Sequence, residues 1–452
     1  MQSTQKAKCF WQGIVPLCPH VLPFPSLSPF LSNHHNYLFS FVFSYTYFKN
    51  HIDMPLYIPL GAAKPWVDIL LPQPIVLTFD QIIPFYLVLL SIDYTMLRKE
   101  SLIPLTPVQF RVILGLVHAA IPLYIVSTSV VANLFFAAIP WFFVSYGASL
   151  PLERITLCEA YRVFMAVVTD HKRTIPVAAV GGNEVAHQQQ QKQQRAAQNR
   201  WHGVIKVARG TSKLIFLHQC IEPWLPANNA YILSLPWFDW RSLTLTMLYG
   251  TKGYCFLGIV DIGMGLEELV LAEPMIDLFN SPIISSSPRD FWSRRWNRAV
   301  RNLLHRIVFM RGKNDGCTSV MDGKKKKKQH DMKKKDSNNT LLAVGSRNIM
   351  GFMAFVVSGV FHELIIASMF RRFTLENLVF FTLHGVAVWI QLTVRDWAKW
   401  SKDEPHGASR LICVALHLMF LAVTGRFFLA PYLRYYCSGC SPIDLYKNST
   451  TY

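Results

Sequence analysis

Apolar residues in this chain come in long blocks rather than in amphipathic stripes. Met350 to Val357, for example, is interrupted only by Gly351. A block of about 20 such residues is what crosses a bilayer as a helix, because lipid offers no water to an open backbone. Hydrophobic residues fill 51% of the 452 positions and charged residues only 16%, against about 25% charged in soluble domains. The fold class read from this is an all-α integral membrane protein, a multispanning bundle of about seven to nine transmembrane helices.

Residues 1–70 form a variable, Pro-rich segment whose aromatic run, Tyr37 to Phe48, is short for a span and suits an interfacial helix. Pro16, Pro19, Pro23 and Pro25 interrupt what would be the core of a signal peptide. The first transmembrane helices fall in 71–148, at Ile82 to Leu97, Gln109 to Val126 and Ser127 to Gly147. Residues 149–241 are expected to be a loop carrying a Gln-rich tract, Asn183 to Arg200, read as solvated and disordered. An amphipathic stretch follows, and its Trp201, Trp224, Trp237 and Trp240 suit the headgroup belt. Residues 242–311 hold a span, Leu243 to Val260, broken at Gly250, Lys252 and Gly253, and then a basic interfacial helix. The Lys-rich insert at 312–346 has no apolar period and reads as disordered. Three spans fill 347–435, at Ile349 to Phe370, Leu375 to Val394 and Leu411 to Ala430, and 436–452 is a tail.

The net charge of +18 belongs to loops on the cytosolic side of such a protein. A nucleic-acid partner wants a soluble basic face, so that class is set aside. Residues 289–311 contain seven Arg and one Asp, which orients them to the cytosol and the C-terminal tail to the lumen. Asn448 of the sequon Asn448-Ser449-Thr450 is then accessible to glycosylation, and Asn338 is not. The nine Cys are odd in number and scattered, and Cys437 and Cys440 lack a second ligand pair. No two His stand at metal-ligand spacing, so no metal is expected.

Two short motifs carry chemistry. The first is Phe291-Trp292-Ser293-Arg294-Arg295-Trp296-Asn297, and the second is Ser358-Gly359-Val360-Phe361-His362-Glu363. A His and a Glu within an apolar span are costly unless used or satisfied. A neutral imidazole at His362 can take the proton of an attacking hydroxyl, while Asn297 can hydrogen-bond a carbonyl, its developing oxyanion or the attacking hydroxyl. In a helix Glu363 points about 100° away from His362, which casts it as a supporting partner, together with Trp296. If 291–311 is one helix, Trp292, Trp296, Val300, Leu303, Leu304 and Ile307 share a face opposite Arg294, Arg298, Arg301 and His305. That Arg face suits phosphate groups such as those of coenzyme A, or serves as a plain positive-inside anchor. His384 sits where it can face the same cavity, whereas His118 and His417 read as lone histidines on apolar faces.

The order F-W-x-x-x-W-N followed by S-G-x-x-H-E resembles the membrane-bound O-acyltransferase superfamily, and within it the wax synthase-like branch. The resemblance covers about Asp290 to Arg311 and Arg347 to Gln391. It implies a helical enzyme of the endoplasmic reticulum with a cytosolic opening for acyl-CoA as co-substrate and a membrane-facing opening for a lipophilic alcohol. No bound cofactor is implied, His362 takes the family's His position and Asn297 its Asn position. Wax synthase-like members often carry His where this chain has Asn297, while Asn is usual in the wider superfamily. Fungal members of the branch acetylate terpenoids and related secondary metabolites, and plant members make long-chain wax esters. The low-complexity inserts favour the fungal kind, with acetyl-CoA as donor and a terpenoid acceptor, and wax ester synthesis is the alternative. A different class, a non-catalytic transporter or lipid-handling protein, would draw on the broken Gly250-to-Gly253 segment and Lys252.

Overall fold

The computed structural model describes residues 67–147, 185–305, 337–397 and 405–435, with Pro65 and short stretches between 156 and 173. Two short strands, β1 (Ile69–Leu70) and β2 (Ile75–Leu77), precede α1 (Phe79–Arg98) and α2 (Pro107–Tyr124). Thr106 starts α2: its hydroxyl accepts from Gln109 N at 3.3 Å, its own N–H reaches Gln109 Oε1 at 3.1 Å, and Pro107 takes the first helical position. After β3 (Ile125–Ser127) comes α3 (Val130–Gly147). β2 and β3 pair in parallel, Ile75 with Ile125.

The second half contains α4 (Val185–Phe216), α5 (Trp240–Phe256), α6 (Gly258–Leu271) and the short α7 (Arg298–Leu304). It ends with α8 (Ser337–Phe370), β4 (Arg372–Phe373), α9 (Glu376–Trp397) and α10 (Gly407–Tyr435). β4 closes antiparallel on β1, Phe373 opposite Ile69. Among the described residues four helices are long and apolar enough to cross a membrane: α2, α10, the Asn348–Phe370 part of α8 and the Glu376–Arg395 part of α9. The expected count of seven to nine is not reached among them. Helix α8 packs on α9, α3 and α2, and α10 packs on α5 and α9.

Several expectations are corrected. The Gln-rich tract is helical from Val185 rather than a loop, with Gln190, Gln191, Gln193 and Gln194 exposed. Gln is a good helix former, and the tract continues directly into the packed half of α4. Helix α5 runs unbroken through Gly250 and Gly253, and the break falls at Leu257 instead. Lys252 pairs with Glu222 at 3.3 Å. The last part of the Lys-rich insert, from Ser337, is helix. The Lys runs themselves, the Tyr37 to Phe48 run, Cys437, Cys440 and the tail lie outside the described residues. His118 is not alone: its Nε2 stands 2.7 Å from the buried Asp93 Oδ2, although the angle falls outside hydrogen-bond geometry.

Helices α4 and α6 touch backbone to backbone. A Cβ on Gly210 would stand 2.5 Å from Gly258 O, and one on Gly203 would stand 2.7 Å from Gly265 O. The close approach brings a charge network with it. Lys206 Nζ binds Glu268 and, at 2.5 Å, Met275 O. Arg173 reaches Glu268 at 2.8 Å, and Arg209 bridges Asp261 and Asp277 at 3.3 and 2.9 Å. Lys213 meets Asp261 at 2.6 Å and lies over the Tyr254 and Phe279 rings at 4.3 and 4.9 Å. Together these contacts fix Met275–Phe279, the approach to the first motif. Burial alone would push the Asp277 carboxyl up, but the charges of Arg209, Lys206 and Arg173 outweigh it and hold it low.

Two outcomes follow for purified protein in detergent. Gly210→Ala forces α4 from α6 and should cost about 1–3 kcal/mol, read as a fall in Tm. Gly250→Ala, with nothing within 4 Å of its Cβ, should be neutral or gain about 0.5–1 kcal/mol. Equal losses at both sites would contradict the packing. A carboxyl held low in the folded state stabilises fully above its unfolded value of about 3.9 and loses that contribution as pH falls through the folded value. The Tm gap between wild type and Asp277→Asn should therefore hold steady from neutral pH to roughly pH 5 and close below about pH 4. A gap that widens on acidification would argue that Asp277 is not the paired group.

Candidate active site

The first motif is not one helix. Phe291–Arg295 makes a single π-helical turn, closed by Trp296 N–H to Phe291 O at 2.8 Å. Trp296 is then extended, and Asn297 turns left-handed at φ 35° and ψ 69°. Asn tolerates that region better than most residues. Its Oδ1 accepts from Val300 N at 3.2 Å and so starts α7. The expected single apolar face and single Arg face are thereby split, and Ile307 lies outside the described residues. Arg294 is exposed before the break. Beyond it, Arg298 Nη1 binds Asp277 O at 3.4 Å, and Arg301 Nη1 binds Ser293 O at 2.8 Å. Burial and the neighbouring Arg298 charge both push the Arg301 guanidinium down.

Side chains pull the segment into this shape. Trp296 stacks on Phe291 at 5.1 Å and leans on Phe279 at 4.9 Å. Arg298 N–H bonds Leu278 O at 2.9 Å, and Asn280 N–H bonds Arg295 O at 2.9 Å. Asp290 Oδ2 accepts from Arg295 Nε at 2.6 Å. The segment is tied to α9 through Arg289 N–H and Gln391 Oε1 at 3.2 Å.

His362 projects from the middle of α8 into an aromatic setting. Its ring lies 4.3 Å from Phe381, 5.7 Å from Phe361 and 5.8 Å from Phe428. Its Nδ1 is 2.7 Å from Ser358 O. A carbonyl oxygen only accepts, so Nδ1 carries the proton and the neutral ring keeps its lone pair on Nε2. Glu363 is buried, and its carboxylate is occupied. It accepts from the backbone N–H of Thr374 at 3.4 Å, Leu375 at 3.1 Å, Asn377 at 2.7 Å and Leu378 at 3.2 Å. Asn377 and Leu378 are orphan donors in the first turn of α9, and Thr374 and Leu375 lie just before it.

One feature of the site escaped sequence reasoning. Trp292 Nε1–H donates to His384 Nδ1 at 2.9 Å, and His384 Nε2–H donates to Thr424 Oγ1 at 3.0 Å. Nothing local in the sequence aims that indole at α9. The available signal is general: a buried Trp seeks an acceptor for its N–H. Asn297 and His362 share no hydrogen bond among the described residues. Rings connect them: Trp296 stacks on Phe291, Phe291 meets Trp292 at 5.0 Å, Trp292 meets Phe381 at 5.5 Å, and Phe381 meets His362. Glu363→Ala removes the acceptor for four backbone donors and should cost about 1–3 kcal/mol or more. Hydrogen exchange should then rise first at the start of α9, and unchanged protection there would count against the capping role.

Residues 275–383 match the model of the membrane bound O-acyl transferase family. The chain is similar to the probable long-chain-alcohol O-fatty-acyltransferase 3 of Arabidopsis thaliana, 28% identical over 226 residues, 47% of this chain and 58% of that protein. It is 32% identical over 160 residues to the probable long-chain-alcohol O-fatty-acyltransferase 1 of the same plant, 35% of this chain and 39% of the relative. The long-chain-alcohol O-fatty-acyltransferase of Simmondsia chinensis is 28% identical over 204 residues, 43% of this chain and 50% of that protein. The chain thus spans about half the length of the curated relatives it matches. The matched segment holds the left-handed turn at Asn297, His362 and the carboxylate cap of α9. Over that segment the chain is similar to the membrane bound O-acyl transferase family, and the relatives named here are long-chain-alcohol O-fatty-acyltransferases.

Proposed function

We propose that this protein is an acyl-CoA-dependent O-acyltransferase that esterifies a lipophilic alcohol at His362. The observation that supports this reading best is the bond from His362 Nδ1 to Ser358 O at 2.7 Å. It leaves Nε2 as a lone-pair nitrogen among Phe361, Phe381 and Phe428. Nε2 takes the proton from the acceptor hydroxyl as its oxygen attacks the thioester carbonyl carbon. The C–O bond forms, the C–S bond breaks, and the coenzyme A thiolate recovers the proton from the imidazolium. Neither a Ser nor a Cys nucleophile is needed. Asn297 spends Oδ1 on the cap of α7 and keeps its Nδ2–H donors for the carbonyl oxygen. Arg294, Arg298 and Arg301 lie on the basic segment that suits the coenzyme A phosphates.

The relatives, named as long-chain-alcohol O-fatty-acyltransferases, support a fatty acyl donor and a long-chain alcohol. Acetyl-CoA with a terpenoid acceptor is the second pairing, and it rests on the fungal side of the resemblance. We place the protein in the endoplasmic reticulum membrane with Arg289 to Arg301 towards the cytosol.

Microsomes carrying the chain, given labelled acetyl-CoA or palmitoyl-CoA with fatty, sterol and terpenoid alcohols, test this. His362→Ala should lower ester formation by roughly 10²–10⁴-fold, and Asn297→Ala by about 10²–10³-fold, with normal accumulation of both variants. The preferred donor separates wax ester synthesis from acetylation. Normal turnover by His362→Ala would sink the proposal.

A further inference from the structure

We infer that His384 is a positioning residue for the acyl transfer, acting through Trp292 and Phe381 on the orientation of the His362 ring. The inference rests on the function proposed above. His384 is fully buried in α9, and both of its nitrogens are used. The direction of each bond is fixed by chemistry. An indole nitrogen only donates, so the 2.9 Å contact from Trp292 requires a lone pair on His384 Nδ1. Nε2 then carries the proton and donates to Thr424 Oγ1 at 3.0 Å, and the Thr424 hydroxyl donates to Phe420 O at 2.7 Å. One polarised chain thus crosses from the first motif through α9 to α10.

The consequence for His362 passes through rings. Trp292 lies 5.5 Å from Phe381, and Phe381 lies 4.3 Å from His362 at an interplanar angle of 35°. A second route runs from His384 to Phe380 at 4.3 Å, from Phe380 to Phe428 at 5.3 Å, and from Phe428 to His362 at 5.8 Å. The backbone bond to Ser358 fixes the His362 tautomer, while these rings fix the plane in which Nε2 points. An unanchored indole lets Phe381 shift, and a base displaced by about 1 Å loses on the order of 10²-fold in rate.

The test measures kcat and the KM for acyl-CoA in His384→Ala, His384→Asn, His384→Gln, Trp292→Phe and the double variant His384→Ala/Trp292→Phe. The thermal stability of each purified protein is recorded beside them. His384→Ala and Trp292→Phe should each lower kcat roughly 10- to 100-fold with KM little changed. The double variant should be no slower than the slower single one, because both remove the same link. His384→Asn puts an amide oxygen near the place of Nδ1 and should recover part of the loss, and His384→Gln should recover less. Wild-type kcat in His384→Ala, multiplicative losses in the double variant, or Asn no better than Ala would each overturn the inference. If His384→Ala does not fold, the comparison of Asn with Gln decides. A wild-type protein with no His362-dependent ester fails the proposed function instead, and is distinguishable from an active enzyme indifferent to His384.

Discussion

Four backbone N–H groups converge on the carboxylate of Glu363, and the geometry of the candidate site depends on that convergence. The first donors of a helix have no partner within it, and a bilayer supplies no water in their place. A carboxylate answers both needs, since an anion is favoured at a helix N-terminus and charge-assisted bonds are the strong ones. The same contacts offset the cost of burying the charge. They also fix α9 against α8 in one register, so Phe381 lands on the His362 ring. The connecting loop bends hard to allow it: Arg371 and Leu375 are both left-handed, at φ 61° and 59°. Arg371 is fully buried and holds Pro72 O at 2.9 Å and Leu123 O at 2.6 Å. Glu376 adds a two-bond clamp on Arg434 of α10, at 2.9 and 3.0 Å. One short loop is therefore where α2, α8, α9 and α10 are joined.

On the motif side the organising contact is between backbones. Gly203 and Gly210 let α6 come so close that Lys206, Arg209 and Lys213 reach across to Glu268 and Asp261. Two of those cations continue onto the chain beyond α6, at Met275 O and Asp277. The first motif starts from that fixed strut. Its Arg residues shape the site in consequence: Arg298 and Arg301 donate to Asp277 O and Ser293 O and hold the turn at Asn297. Charge here builds the fold.

Apolar blocks were enough to find α2, α3, α8, α9 and α10, because in a membrane both the length and the composition of a helix are set by the lipid. What happens between the blocks was much less legible. The Gln-rich tract has no apolar period, yet it propagates as helix into the packed half of α4. The break at Trp296 and Asn297 is invisible to periodicity. It arises because Trp296 fits among Phe291, Phe279 and Tyr254 while Arg298 N–H reaches Leu278 O. The turn from His362 to Glu363 could be read from helix geometry, but the partners of Glu363 come from the loop and first turn of α9, eleven and more residues away. Asp93 was hidden for a similar reason: it reads as one acid in an apolar run until α2 folds back and brings His118 to it.

Two histidines of one aromatic cluster end in opposite states, and the difference explains why they suit different work. Both sit among phenylalanine rings in helices long enough to span, where a polar atom without a partner is expensive. His384 meets that demand completely, accepting from Trp292 at Nδ1 and donating to Thr424 from Nε2. No lone pair is left over, so the ring can hold its neighbours and cannot take a proton without breaking a bond. His362 meets the demand on one side only. Its Nδ1–H goes to the carbonyl four residues back in its own helix, a bond that asks nothing of any other element. The other nitrogen keeps its lone pair, in a ring set among Phe361, Phe381 and Phe428. A base that must bind and release a proton in every cycle needs a fixed ring and an uncommitted nitrogen, and of these two histidines only His362 combines them.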